Sequence, residues 1–144
     1  MMHHTFLLQT RWDGGRNAVG TLQAERLSTQ ISIPPEMDGP GIGTNPDEML
    51  LGAAATCYII SLAAMLERTG IAANLNMQSE GIVDVTNGVF TYKQIIHNLT
   101  IQLADSTEKN KVMAERLALK AESTCMISKA IRGNVEVLVQ LTIA

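Results

Sequence analysis

Charge, aromatic rings and cysteine are all in short supply in this chain of 144 residues. Charged side chains make up 17% of it, the formal net charge is −3, and the basic residues are scattered. That leaves no electrostatic footprint for a nucleic-acid backbone or an anionic membrane, and neither is expected as a partner. One Trp, two Tyr and two Phe stand against eight Met, so soft, adaptable apolar filling falls to methionine. The two cysteines, Cys57 and Cys125, have no second cysteine and no histidine two to four residues away. Zinc-site and thioredoxin-type spacings are thereby excluded. Two alternatives remain open at this point: a pair of inert core thiols, or one redox pair.

Repeats, low-complexity tracts and linkers are also missing. At 46% apolar content the chain is expected to form a single domain, residues 1–144, with a core that needs no staples. The N-terminal stretch from Met1 to Arg11 carries no basic segment ahead of a long apolar run, so no secretion signal is read there. A cytoplasmic location is expected, where a disulfide is usually transient and catalytic.

What is present organises itself clearly. From about Thr5 to Ile33 a loose alternation, broken at Asp13-Gly14-Gly15-Arg16, predicts two or three short strands. Residues 34–43 hold three of the four prolines and three glycines and are read as an irregular loop. Asn45 then caps a helix, with Pro46 at its first position and Asp47 and Glu48 at the positive end of its dipole. Glu48 completes a capping box. This helix is predicted to run to about Arg68, with Gly70 as its left-handed terminator. No charge interrupts Met49 to Leu66, about the lower limit for a membrane span. Its many Ala, Gly, Ser and Thr residues instead favour a buried helix, apolar on nearly every face and covered on all sides, if need be by a partner subunit.

Asn87-Gly88 predicts a tight hairpin between two long antiparallel strands over about Asn76 to Leu103. Asp105 or Ser106 opens a second helix, amphipathic through Val112, Leu117 and Ala121. Cys125 begins a short third helical turn, and Val135 to Ile143 alternates as a strand with one buried face. The expected fold class is α+β: an antiparallel sheet packed on two longer helices.

The chemistry turns on the thiols. A cysteine attacks as the thiolate, and at neutral pH that requires a nearby cation. Arg16, flanked by Gly14 and Gly15, is the candidate cation, although a solvated hairpin arginine is the plainer explanation. Asp47 and Glu48 are the candidate carboxylates to hold it, although both also suit a helix start. Asp47 stands about 15 Å along an unbroken helix from Cys57. Either that helix is interrupted, or Arg16 bridges the gap, or another subunit contributes. His97, inside a predicted strand, would be the base if Cys57 served a hydrolase.

Four segments together resemble the organic hydroperoxide resistance branch of the OsmC/Ohr superfamily. They are Gly14-Gly15-Arg16, residues 35–50 ending in Thr44-Asn45-Pro46-Asp47-Glu48-Met49-Leu50, Ala54-Ala55-Thr56-Cys57-Tyr58, and Cys125-Met126-Ile127-Ser128-Lys129 through Asn134-Val135. The resemblance spans nearly the whole chain. It implies an intertwined homodimer with β-sheets wrapped around long central helices. It also implies an organic hydroperoxide reductase: Cys57 peroxidatic, Cys125 resolving, Arg16 the activator and Asp47 its acidic partner. Glu48 supports them, and Tyr58 and Met126 touch substrate. The implied cycle passes through a Cys57 sulfenic acid and a Cys57–Cys125 disulfide, with a dithiol, lipoyl in type, as reductant and with no metal or other cofactor.

Three positions depart from the family pattern. Asp47 replaces a glutamate, Met126 a proline and Lys129 an arginine, which costs bidentate recognition. They keep a second reading in play, a divergent dimeric binding or thiol-sensing protein with little peroxidase turnover.

Overall fold

The computed structural model describes residues 2–144 and divides into two compact units, Met1–Met49 and Leu50–Ala144. In the first, β1 (Gln9–Arg11), β2 (Gly20–Gln23) and β3 (Ser28–Ile31) form an antiparallel sheet in the order β1-β2-β3. These are the short strands expected from the broken alternation. The proline-rich loop is less irregular than its composition suggested, because Pro35–Met37 closes one 3-10 turn that ends on a left-handed Asp38. Ser32 ties that loop down, donating to the carbonyl of Ile42 and accepting from its N–H, both at 2.8 Å.

Helix α1 (Pro46–Arg68) starts where the capping residues put it. The Glu48 N–H donates to Asn45 Oδ1 at 3.0 Å, and Glu48 Oε1 accepts from Thr44 Oγ1 at 3.0 Å and from Asn45 Nδ2 at 3.4 Å. The helix runs without a break and Gly70 follows in the left-handed conformation, φ 77°.

The second unit holds the main core. Strands β4 (Ala73–Thr86) and β5 (Val89–Leu103) form one long hairpin, turned by Asn87 and Gly88, both at positive φ. Two successive positive φ values define the turn whose twist matches that of the strands. Thr107 caps α2 (Glu108–Thr124), accepting from the Asn110 N–H; α3 (Met126–Ile131) and β6 (Glu136–Ile143) complete the chain. One pairing differs from the all-antiparallel expectation. β6 lies parallel to β5, Gln94 opposite Glu136, because α2 and α3 carry the chain back to the start of β5 before β6 begins.

Alternate residues of β5, Ile95, His97, Leu99, Ile101 and Leu103, form the buried face of this sheet. Against it lie Tyr58, Leu62 and Leu66 of α1 and Ala114, Ala118 and Ala121 of α2. The alanines, rather than Val112, which is exposed, make the inner stripe of α2, and small side chains let the helices approach closely. Nor is α1 covered on all sides. Only Ala54, Tyr58, Leu62 and Leu66 are buried, and Ile60 keeps 62% of its surface in solvent. The helix is long and apolar enough to cross a membrane by length and composition, yet one stripe of it belongs to this core.

Candidate active site

The two cysteines, 68 residues apart in sequence, meet. Cys57 lies in the fourth turn of α1, half-buried, and Cys125 occupies the joint between α2 and α3, 1% exposed. Both are free thiols within hydrogen-bond reach of one another. The hairpin and the crossover through α2 create this meeting, since they return α3 to the face of α1 that bears Cys57.

Their surroundings differ in kind. Partial burial works against ionising Cys57, but four donors outweigh it: the Cys125 thiol, the backbone N–H groups of Ile127 and Met126, and the Ser61 hydroxyl. The Cys57 thiol is held below its ordinary value. Cys125 is pushed the other way, first by burial and then by Cys57 itself. The N–H and hydroxyl of Ser128 and the N–H of Ile127 offset this only in part. Of the two thiols, Cys57 is therefore the one that ionises more readily.

Met126 contributes an N–H at the first position of α3, which a proline there would lack. The departure at 126 thus adds a donor to Cys57. Ser61 follows Cys57 by four residues, one helical turn, and so shares its face. That spacing was visible in the sequence and was the signal by which Ser61 could have been found. Met126 itself is 71% exposed.

Tyr58, expected from the family resemblance to touch substrate, packs in the core. It is completely buried, donates to the Ala118 carbonyl at 2.9 Å and stacks on His97 with ring centroids 5.2 Å apart. It ties α1 to α2, and burial followed by the charge of Glu122 keeps its phenol protonated. His97 is also fully buried. Its Nδ1 lies 2.7 Å from Ser79 Oγ, burial lowers its pKa, and it is not among the groups that bond to Cys57. The hydrolase reading needed that bond, and it fails here. Among the described residues no group of three or more His, Cys, Asp or Glu is placed to hold a metal ion.

Arg16 and Asp47 belong to the first unit. The Arg16 guanidinium donates to the carbonyls of Met37 at 2.7 Å and Asp38 at 3.1 Å, and to Asn17 Oδ1 at 2.9 Å, so the loop that follows β3 holds it. Asp47 stands in the first turn of α1 and has interactions of its own. The carboxylate of Glu48 is committed to the helix cap. Since α1 is continuous from Pro46 to Arg68, no interruption shortens the path from Asp47 to Cys57.

The OsmC-like protein family model matches residues 39–140, a span that includes both cysteines. The chain belongs to this family. A protein of Bacillus subtilis, the uncharacterized protein YmaD, is 58% identical over 99% of this chain and 97% of its own length. The organic hydroperoxide resistance protein of Xanthomonas axonopodis pv. citri is 27% identical over 89% of this chain and 88% of its own. The crystal structure of an organic hydroperoxide resistance protein OsmC from Legionella pneumophila superposes with a TM-score of 0.76. It is 25% identical and covers 99% of both chains. The α+β architecture read from the sequence is that of the OsmC-like family, and the relatives named for organic hydroperoxide resistance lie at lower identity than YmaD.

Proposed function

We propose that this OsmC-like protein is a thiol peroxidase that reduces organic hydroperoxides to alcohols. The observation that carries the reading is the unequal pair: a thiol held toward the anion, with a protonated thiol in reach. In the first step the Cys57 thiolate attacks the distal oxygen of the hydroperoxide. The O–O bond breaks, the alkoxide takes up a proton and leaves as the alcohol, and Cys57 becomes a sulfenic acid. Cys125 then displaces hydroxide, which leaves as water, and a Cys57–Cys125 disulfide forms. A dithiol, lipoyl in type, restores both thiols by exchange, and a reducing cytoplasm suits this cycle.

In this reading Arg16 activates Cys57 and Asp47 holds Arg16, while the exposed Met126 lines the approach for the alkyl group. A homodimer completes the fold. The uncovered apolar face of α1 and the adjoining cavity of about 660 Å³, lined by Ile59, Ile60, Ala63, Ile71 and Leu75, are surface for a second copy. The homologues named for organic hydroperoxide resistance support the same substrate class.

The test is a peroxidase assay with tert-butyl hydroperoxide, a lipid hydroperoxide and hydrogen peroxide, each with dihydrolipoamide or a monothiol. Turnover with the organic substrates and the dithiol is expected. A second reading, a thiol sensor or binding protein without turnover, is favoured by Asp47 and Lys129, and it would give one equivalent of oxidation per chain with every reductant.

A further inference from the structure

Ser128 is 1% exposed, and its hydroxyl has no hydrogen-bond partner of ordinary geometry. A buried polar atom left unpaired is destabilising, so its persistence asks for a reason. The side chain and N–H of Ser128 both lie toward the Cys125 sulfur, three residues earlier at the start of α3. Ser128 also lines a cavity of about 460 Å³ together with Lys93, Glu122, Arg132 and Glu136. None of those charged side chains takes up the hydroxyl. Arg132 instead reaches the Ser123 carbonyl at 3.1 Å and the Glu122 carboxylate at 3.9 Å, and Glu136 accepts from Gln94.

Resting on the peroxidase reading, we infer that Ser128 is the positioning residue of the resolving step, its hydroxyl held in reserve to donate to the Cys125 thiolate as that thiolate forms. A neutral thiol is a weak acceptor, so the hydroxyl goes unpaired in the resting enzyme. A thiolate is a strong one, and the same hydrogen bond becomes charge-assisted. The need is specific to Cys125, whose burial and whose neighbour Cys57 both oppose its ionisation. In the step itself Cys125 loses its proton, its sulfur attacks the Cys57 sulfenic sulfur, the S–O bond breaks, and the proton and the expelled hydroxide leave as one water. Cys57, supplied by Met126, Ile127 and Ser61, does not draw on Ser128.

Two measurements test this. In a Cys57→Ser background Cys125 is the sole thiol, and its ionisation is followed by ultraviolet thiolate absorbance against pH. Adding Ser128→Ala should raise the midpoint by about one pH unit. Thermal stability should stay level or rise, since an unpaired buried hydroxyl has been removed. In the otherwise unchanged protein, a single pulse of tert-butyl hydroperoxide should oxidise Cys57 at the parent rate, while Ser128→Ala forms the disulfide about tenfold more slowly. An unmoved midpoint, or a variant that unfolds or melts well below the parent, would overturn the role of Ser128. If the hydroperoxide oxidises neither protein, the peroxidase reading fails instead, and the titration still decides the assignment of Ser128.

Discussion

Cys57 and Cys125 share one residue type and one core, yet they sit in opposite electrostatic conditions. Cys57 is half-buried and faces four donors; Cys125 is buried to 1% exposure and gives its own proton toward Cys57. Exposure alone does not separate them, because desolvation raises both thiols. What separates them is the supply of N–H and O–H groups, and three of the four at Cys57 come from the α2–α3 joint. The lesson is that Cys125 and the residues after it set the ionisation of Cys57 through the donors they supply.

The most forceful way to break the comparison is to remove one thiol at a time. Cys57→Ser should abolish hydroperoxide turnover, a loss of at least about a thousandfold of the kind seen when an enzyme loses its nucleophile. Cys125→Ser should still be oxidised once at Cys57 and then recycle poorly, with the sulfenic acid trapped by a dimedone-type reagent. Full turnover in Cys57→Ser would end the peroxidase reading.

A finer cut removes a single donor. Met126→Pro suits the first position of α3 conformationally but deletes the N–H that faces Cys57. The midpoint of Cys57 alkylation should rise by about one pH unit, with the fold intact by circular dichroism. Ser61→Ala, which takes away one side-chain donor on the same helix face, should move that midpoint in the same direction by about half as much. An unchanged alkylation profile in both variants would mean that neither group reaches the sulfur in solution.

The smallest effect concerns stability. A histidine exposed by unfolding takes up its proton near pH 6.5, whereas burial holds His97 neutral to lower pH. The unfolded chain therefore binds more protons as pH falls through that range. The contribution of neutral His97 is complete above about pH 6.5 and is lost progressively below it. Urea midpoints measured at about pH 7.5 and about pH 5.5 should differ more in the parent than in His97→Leu.

Much of the architecture could be read from local signals. Asn45-Pro46 with Glu48 marked the start of α1, Gly70 its end, and Asn87-Gly88 the hairpin, because each rests on interactions within a few residues. The parallel placement of β6 was hidden, since nothing in a strand's own alternation says which neighbour it meets or in which direction. The open face of α1 was hidden for a similar reason. Apolar composition shows that a helix needs cover but not which chain provides it. At the candidate site both cysteines stand out in the sequence by their rarity, whereas Ser61 and Ser128 do not, because what a serine does depends on the sulfur that folding places beside it.

By itself, the sequence determined the elements, the family motifs and the scarcity of reactive groups that narrowed attention to two thiols. Tertiary structure decided that those thiols meet, that they are unequal, and that His97 serves the core beneath Tyr58. The physical reason is range. Capping, turn formation and periodicity act over a few residues, but the ionisation of a sulfur depends on whichever N–H and O–H groups the folded chain brings within about 4 Å of it.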